Sequence, residues 1–135
     1  GEALPRAPYA AIAGWPGLAD PTQRWRLAQR LARVYDGYLV YRPDWLLAWE
    51  ARRSVLADDP DEAWQAALWR DLAAACREPH RARLLARLAG GELSLDRAIL
   101  PPVVRVFGVS TLAPSMIDFL GVVARSVPVC LYVLT

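Results

Sequence analysis

The chain has 135 residues, 55% of them hydrophobic, so it is long and apolar enough to bury the core of one domain and is not a disordered segment. Its 16 basic and 14 acidic residues leave a net charge of +2, which by itself does not indicate a nucleic-acid partner. No apolar run approaches the roughly 20 residues that a membrane span needs, and the N-terminus lacks the basic and apolar regions of a signal peptide.

Cysteine and histidine are too few and too scattered for a metal site. Cys76 and Cys130 form no CxxC pair, and His80 is the single histidine of the sequence. We therefore expect both thiols to be reduced and buried, as in a cytoplasmic protein, and we expect no metal and no cofactor.

The first long helix is the most clearly marked element. Residues 1–19 are predicted to be an irregular N-terminal segment with about two turns of helix, after which Asp20 can cap a helix that Pro21 opens. This helix should run to about residue 40. At helical spacing, its predicted buried stripe is Leu27, Leu31, Val34 and Tyr38. A second stripe at the same spacing is Arg26, Arg30, Arg33 and Gly37.

Gly37 stands inside this predicted helix, where glycine costs about 1 kcal/mol relative to alanine. Two interpretations are open at this point. Either close approach of a partner backbone offsets the cost, or the helix ends or bends near Gly37.

Three further helices are predicted over residues 43–52, 60–76 and 79–88, the last stopped by Gly90 and Gly91. They are rich in tryptophan and leucine at helical spacing. The side chains expected to face inward are Trp45, Leu46, Trp49, Trp64, Leu68, Trp69 and Leu72. Residues 20–91 therefore form a predicted helical subdomain.

The pattern changes in residues 92–135. Residues 103–109 and 129–134 are β-rich runs, and the segment 114–125 between them has the length and composition of a helix, which together predict a βαβ unit with a parallel strand pair. The expected fold is therefore mainly α with a C-terminal βαβ unit. Two strands alone do not make a stable sheet, so we expect the remaining strands to come from elsewhere.

The sequence carries none of the patterns typical of a catalytic site. It contains no GxxxxGK[ST] phosphate-binding loop and no GxGxxG, and no acidic residue follows the first predicted strand. Asp58, Asp59, Asp61 and Glu62 cluster at a predicted helix start, where negative charge favours the helix dipole. We therefore expect no catalytic residues in this chain.

Four segments resemble the exodeoxyribonuclease V gamma subunit (RecC) family, in the same order along the chain. Residues 31–46, LARVYDGYLVYRPDWL, resemble its signature LADLFDQYLVYRPDWL. Residues 64–70, 80–82 and 106–114 are similar to its WQ-LW helix, its HRA helix start and its FGIS-LPP strand and turn. Four segments in order are more specific than one, and together they cover most of residues 20–134.

The resemblance implies a non-catalytic piece of a large subunit. The family has a P-loop-helicase-like (superfamily 1) α/β domain that lacks the ATPase motifs, and residues 20–91 would be a helical insertion in it. The subunit forms a heterotrimer with beta and alpha subunits that carry the helicase and nuclease activities. It helps to split the duplex and scans single-stranded DNA for the Chi sequence during recombinational double-strand-break repair, so single-stranded DNA is an expected partner.

The resemblance also implies five DNA-contact candidates, namely Val34, Asp36, Gly37, Arg42 and Arg81. Arg42 and Arg81, on separate helices, are expected to face a common groove and to fork onto guanine or phosphate. Asp36 can accept from a base amino group, orient Arg42, or pair locally with Arg33.

Three neighbouring tyrosines offer ring faces for base stacking, although helical spacing favours Tyr38 as a core residue; they are Tyr35, Tyr38 and Tyr41. At Arg33 and Gly37 the sequence departs from the family signature, which has an acidic and an amide residue there, so the DNA word that is read is expected to differ. The alternative function is a protein-interaction scaffold that braces the beta subunit without touching DNA. A third hypothesis, a small phosphohydrolase, lacks nucleophile, base and metal ligands.

Overall fold

A computed structural model describes residues 9–133. The elements of this region, in chain order, are α1 (Ala10–Ala13), a 3-10 turn (Pro16–Ala19), α2 (Pro21–Tyr41), α3 (Pro43–Glu50), α4 (Glu62–Ala75), α5 (Arg81–Ala89), β1 (Val104–Phe107), α6 (Pro114–Ala124) and β2 (Val129–Tyr132). The prediction of a mainly helical chain with a C-terminal βαβ unit is confirmed.

Local sequence determines both ends of α2. At its start the Asp20 carboxylate accepts a hydrogen bond from the Thr22 amide at 2.9 Å, and Pro21 occupies the first helical position. At its end Pro43 disfavours helical backbone in Arg42, which adopts φ −138° and ψ 52°. The helix passes through Gly37 without ending, and no described atom lies within 4 Å of the place a Cβ would occupy there.

The core lies where α2, α3 and α4 meet. Its buried members are Tyr35, Leu46, Trp49, Ala66 and Trp69. Leu46 and Trp49 are wholly enclosed, at 0% and 1% exposure. The predicted inward face of α3 is therefore confirmed, and α2 and α4 each contribute one large aromatic side chain.

The buried stripe of α2 departs from its predicted place at one position, since Leu27, Leu31 and Tyr38 are half-buried as members of it and Val34 is not. Val34 is 43% exposed, whereas Tyr35 is 4% exposed and its ring stacks on Trp69 with centroids 5.6 Å apart. The Tyr35 hydroxyl donates to the Gln65 carbonyl oxygen and the Tyr38 hydroxyl donates to Gln65 Oε1, both at 2.8 Å. Burial raises the pKa of Tyr35 and of Tyr38. Tyr35 is therefore a core residue, and the prediction that Val34 is buried is wrong.

Two other burial predictions are wrong. Leu72 is 44% exposed, because the last turn of α4 packs on the cluster through Ala73 and not through Leu72. Cys76 is exposed and Cys130 is half-buried, and both are free thiols. Cys76 lies directly after the end of α4, and this position outweighs the usual tendency of cysteine to be buried.

A single buried carboxylate organises the connection between α3 and α4. Glu62 is 7% exposed and accepts from Trp49 Nε1 at 2.7 Å, from the Val55 amide at 2.6 Å, from the Leu56 amide at 3.1 Å and from the Ser54 hydroxyl at 2.5 Å. Burial alone would raise its pKa, but these four donors outweigh burial and lower the pKa to about 2. Glu62 therefore does more than favour the helix dipole, because it accepts from the hydroxyl and amides of the loop between α3 and α4.

The two strands form a parallel pair in which Val104 is opposite Val129 and Phe107 is opposite Tyr132. Helix α6 connects them and buries Leu120, Val122 and Val123. Phe107 and Tyr132 are 74% and 56% exposed, so one face of the pair is open.

Within residues 9–133 no three His, Cys, Asp or Glu side chains gather closely enough to hold a metal ion. No helix of the same region combines the length and apolar character needed to cross a membrane.

Candidate nucleic-acid interface

Two of the five candidate residues share one open face of α2. Val34 and Gly37 are three residues apart, so they lie on the same side of the helix. Val34 is 43% exposed; Gly37 is half-buried, but apart from its neighbours and its own helix backbone no described atom lies within 4 Å of the place a Cβ would occupy. Asp36 is also exposed, but two residues of helix rotate it about 200° away from Val34. The structure therefore brings Val34 and Gly37 together and leaves Asp36 on another side.

Arg42 lies at the junction of α2 and α3, where its amide donates to the Tyr38 carbonyl oxygen at 2.9 Å. Its side chain forms a two-point pair with Asp44, with Nε to Oδ1 at 3.0 Å and Nη2 to Oδ2 at 2.8 Å. The guanidinium carbon also lies 4.0 Å from the centroid of the Trp45 ring. Two neighbours in sequence thus fix the orientation of this guanidinium.

The pair with Asp44 is open to solvent, with side chains 46% and 62% exposed. The hydrogen bond to Asp44 raises the pKa of Arg42, and the same bond lowers the pKa of Asp44. The Asp44 carboxylate accepts from the Nε and Nη2 groups of Arg42. The N–H groups of Nη1 remain available to a ligand. Asp44, rather than Asp36, therefore orients Arg42, and Asp36 forms no ion pair with Arg33 in the described region.

Arg81 is the first residue of α5 and lies on the wall of a groove of about 420 Å³. The other lining residues come from the end of α2, from α5 and from α6; they are Val40, Leu84, Leu85, Leu88, Ser115, Met116 and Phe119. The Ser115 hydroxyl donates to the Val40 carbonyl oxygen and ties α6 to α2. Arg42 does not line this groove, so the structure brings Arg81 to the end of α2 without directing both guanidinium groups into one cavity.

A polar cluster that sequence reasoning missed holds the start of α5. The Glu50 carboxylate accepts from Trp69 Nε1 at 3.0 Å, and it also pairs with His80 Nε2 and with Arg83 Nη2. The half-buried position of Glu50 would raise its pKa, but these three donors lower it overall.

The imidazole of His80 has a role at each nitrogen. Its Nδ1 accepts from the Arg83 amide at 3.3 Å and caps α5. An ionised carboxylate such as Glu50 can only accept, so we assign the proton to His80 Nε2. This cap fixes the backbone from which Arg81 extends. No local pattern reveals the cluster, because Glu50 and His80 are 30 residues apart.

Comparison with known proteins places these residues in a family. A sequence profile of the family described as RecC, N-terminal domain matches residues 2–135. The chain belongs to the RecC family. The RecBCD enzyme subunit RecC of Escherichia coli is 32% identical over 121 residues, covering 82% of this chain and 10% of that protein. The Haemophilus influenzae subunit of the same name is 27% identical over 135 residues, covering 80% of this chain and 12% of that protein.

The RecC match includes all four segments that carry the resemblance, so the five candidate residues lie inside the matched region. The chain spans about a tenth of the length of the RecC relatives it matches. This chain therefore corresponds to only one part of those larger proteins.

Proposed function

We propose that this chain is the N-terminal part of a RecC-type gamma subunit of exodeoxyribonuclease V, where it guides single-stranded DNA and contributes to Chi recognition in recombinational double-strand-break repair. It would work in the cytoplasm in a heterotrimer with beta and alpha subunits, as part of a helicase-like domain without ATPase motifs. Helicase and nuclease chemistry would belong to its partners. Family membership supports the assembly, and the state of Arg42 supports the DNA contact.

The fixed guanidinium of Arg42 is the observation that carries the proposal. A free arginine loses rotamer freedom when it binds, whereas Arg42 is already held against Trp45 and by Asp44. Its unused edge keeps the fork geometry that fits guanine O6 and N7 or a phosphate. An arginine fixed in this way in an exposed position is suited to reading a strand that passes the end of α2.

The face that leads to Arg42 is suited to close approach by bases. Gly37 presents bare backbone, and Val34 presents methyl groups on the same side. Beyond its own helix backbone and chain neighbours, no described atom lies within 4 Å of a Cβ placed at Gly37, which leaves room for a base to approach the helix there. Arg81, in its separate groove, would contact a neighbouring part of the strand or its backbone.

The test uses the full-length subunit in its assembled complex, with Arg42→Ala and Arg81→Ala compared with the exposed control Arg97→Ala. A base contact predicts a loss of about 1–3 kcal/mol for one DNA word and relaxed preference at one position. A phosphate contact predicts a uniform loss across sequences and a shallower salt dependence. If both variants bind and respond to every sequence like the control, the proposed DNA contact is wrong.

The second candidate function, bracing of the beta subunit, is favoured by the apolar surface at the sheet end. Phe107 lies opposite Tyr132, which Val133 follows, and these three side chains are 74%, 56% and 75% exposed. Contiguous exposed apolar groups mark protein contacts. Phe107→Ser should then weaken association of the subunits and leave the affinity for single-stranded DNA unchanged, whereas Arg42→Ala should do the reverse.

A further inference from the structure

A row of arginines continues the open face of α2 toward its N-terminus. Arg26, Arg30 and Arg33 recur at helical spacing with Gly37, so all four lie on one stripe that is about 16 Å long. All three arginines are exposed, and none of them forms an ion pair within residues 9–133. The row therefore ends beside the bare backbone that we propose as a base contact.

This arrangement is unfavourable for the chain on its own. Like charges three or four residues apart on a helix destabilise it, and Arg26, Arg30 and Arg33 contain both spacings. No carboxylate of the described region is paired with any of them. A bound polyanion would remove the repulsion, because each guanidinium would then face a phosphate.

The arginine row also forms one side of an aromatic groove. Arg26 and Arg30 line a groove of about 380 Å³ together with Gln23, Trp15 and Trp64, and the rest of its lining is aliphatic: Ala11, Ile12, Leu27 and Leu31. The Trp15 side chain is 39% exposed, and Trp64 is half-buried, with its Nε1 donating to Asp61 Oδ1 at 2.9 Å. Indole faces beside unpaired guanidinium groups suit a stacked nucleobase attached to a phosphate backbone.

We infer that Arg26, Arg30 and Arg33, with the groove between Trp15 and Trp64, form a second contact site for a single nucleic-acid strand, which holds its phosphates on the row and one base in the groove. This site extends the proposed reading face by about three helical turns, and it acts without regard to base sequence. The inference rests on the proposed function, because it assumes that the same strand passes Gly37 and Arg42.

The observations favour a single strand over an acidic protein. A carboxylate-rich partner would neutralise the row, but carboxylates would not stack on the indole faces of the groove. A duplex keeps its bases stacked on each other, so it would offer no base to Trp15. An unpaired strand would contact the arginine row with its phosphates and the indole faces with a base.

The charge test uses the full-length subunit in its assembled complex and a duplex end with a single-stranded oligothymidylate tail. Thymidylate contains no guanine, so it reports the row and not the reading of bases by Arg42. The variant R26Q/R30Q should make the salt dependence of binding shallower by about 1.4 in log–log slope, since each phosphate contact on a single strand contributes about 0.7. Arg24→Gln is the matched control, because Arg24 is exposed on the same helix and does not line the groove.

The aromatic test uses the same complex with 4-thiothymidine placed along the tail. Ultraviolet irradiation should cross-link the tail to the groove, and Trp15→Ala should remove this product and weaken binding about tenfold, the size of one lost base stack. Trp25→Ala is the control, because Trp25 is 66% exposed on α2 and does not line the groove. A thermal midpoint measured for each variant excludes unfolding as the cause.

The outcomes separate this inference from the proposed function. If Arg42→Ala and Arg81→Ala alter DNA binding while R26Q/R30Q and Trp15→Ala match their controls, the second site does not exist and the proposed function stands. If R26Q/R30Q disrupts assembly with the other subunits and leaves the salt slope unchanged, the row is a protein interface and the inference is wrong. If none of these variants affects DNA binding, both the inference and the proposed function fail.

Discussion

The cluster around Trp49 and the pair of strands β1 and β2 differ in their surroundings: the first pairs its polar groups inside the fold, and the second exposes apolar rings to solvent. In the cluster, the Trp49 indole N–H, the loop amides and the tyrosine hydroxyls all have partners, and no buried side-chain polar atom of the described region is left without one. At the strand pair, Phe107 and Tyr132 lie side by side in solvent. The cluster thus pairs its polar groups internally, whereas the parallel pair has the composition of a sheet that is covered on both faces.

We therefore expect the two regions to contribute differently to the stability of this chain. The side chains that hold Arg42 and the start of α5, namely Asp44, Trp45, Glu50 and His80, all belong to the helical region. We expect the strand pair to gain stability from contacts outside residues 9–133, because two strands alone do not make a stable sheet. Substitutions should therefore be costly in the first region and nearly neutral in the second, when they are measured on this chain alone.

Trp49→Ala should have the largest effect. It removes a side chain that is 1% exposed and leaves one Glu62 oxygen without its donor, so we expect a loss of about 3–5 kcal/mol in the free energy of unfolding. Urea titration followed by circular dichroism measures it. Trp25→Ala, at a position 66% exposed, should change the value by less than about 0.5 kcal/mol. Equal effects at the two sites would contradict the comparison.

Glu62→Gln should come second, with a loss of about 2–3 kcal/mol at neutral pH. The amide offers one acceptor oxygen, and its NH₂ group faces N–H donors, so at least two of the four donors lose their acceptor. Asp58→Asn, an exposed carboxylate in the same loop, is the control and should cause no measurable change.

The same carboxylate predicts a dependence of stability on pH. The pKa of Glu62 falls from about 4.3 in the unfolded chain to about 2 in the folded one. Ionised Glu62 therefore stabilises the fold above about pH 4.3, and this contribution is lost as the pH falls toward 2. Urea titrations across this range should show a steeper decline for the natural chain than for Glu62→Gln. Parallel declines would show that another group dominates acid unfolding.

Tyr35→Phe should have a smaller effect of about 1 kcal/mol. It keeps the stack on Trp69 and removes the hydroxyl that donates to the Gln65 carbonyl oxygen. Tyr41→Phe is the matched control, because Tyr41 is 64% exposed at the end of the same helix. A loss at position 41 as large as that at 35 would mean that Tyr35 is not the tyrosine that anchors α2.

The smallest effect is expected at the strand pair. Phe107→Ala should change the free energy of unfolding of this chain by less than about 0.5 kcal/mol, because the ring is 74% exposed. Amide hydrogens of β1 should also exchange with solvent faster than those of α4, which packs on the core. In the full-length assembled subunit the same substitution should become costly. A small effect on this chain and a large effect in the subunit would together show that the strand pair depends on outside contacts.

The starts of three helices could be predicted because they depend on local chemistry, whereas α4 and α5 begin two residues after the predicted Pro60 and Pro79. Asp20 with Pro21, Pro43 and Pro114 each mark a helix start in the sequence, and the structure begins α2, α3 and α6 at those prolines. The β-rich runs around α6 likewise predicted a parallel pair. These signals act within a few residues of the chain, so no knowledge of packing is needed to use them.

The side of α2 that is buried could not be predicted in the same way. Val34 and Tyr35 are both at helical spacing from Leu31, and the choice depends on what α4 offers to each. Trp69 and Gln65 supply a ring face and a carbonyl oxygen that suit a tyrosine. The exposure of Val34, which makes it available to a ligand, follows from this contact between distant residues.

The polar anchors of the candidate site were also out of reach of sequence reasoning. Asp44 and Trp45, next to Arg42, are the partners that hold it, and adjacency alone did not distinguish them from Asp36. The cap of α5 by His80 depends on Glu50, which reaches it across 30 residues. The five candidate positions themselves come from the resemblance, and their contact with DNA stays a prediction.

The anchoring of the α3–α4 connection at Glu62 has a practical consequence for labelling experiments. The carboxylate holds Ser54, Val55 and Leu56, while Ala57 and Asp58 are exposed and make no contact with it. Lengthening a loop costs little free energy when its anchored part is undisturbed. A short tag inserted between Ala57 and Asp58 opens the turn that the Asp59 amide closes on the Leu56 carbonyl oxygen, but it leaves the donors of Glu62 in place, so the fold should stay intact and offer an attachment point for a fluorophore.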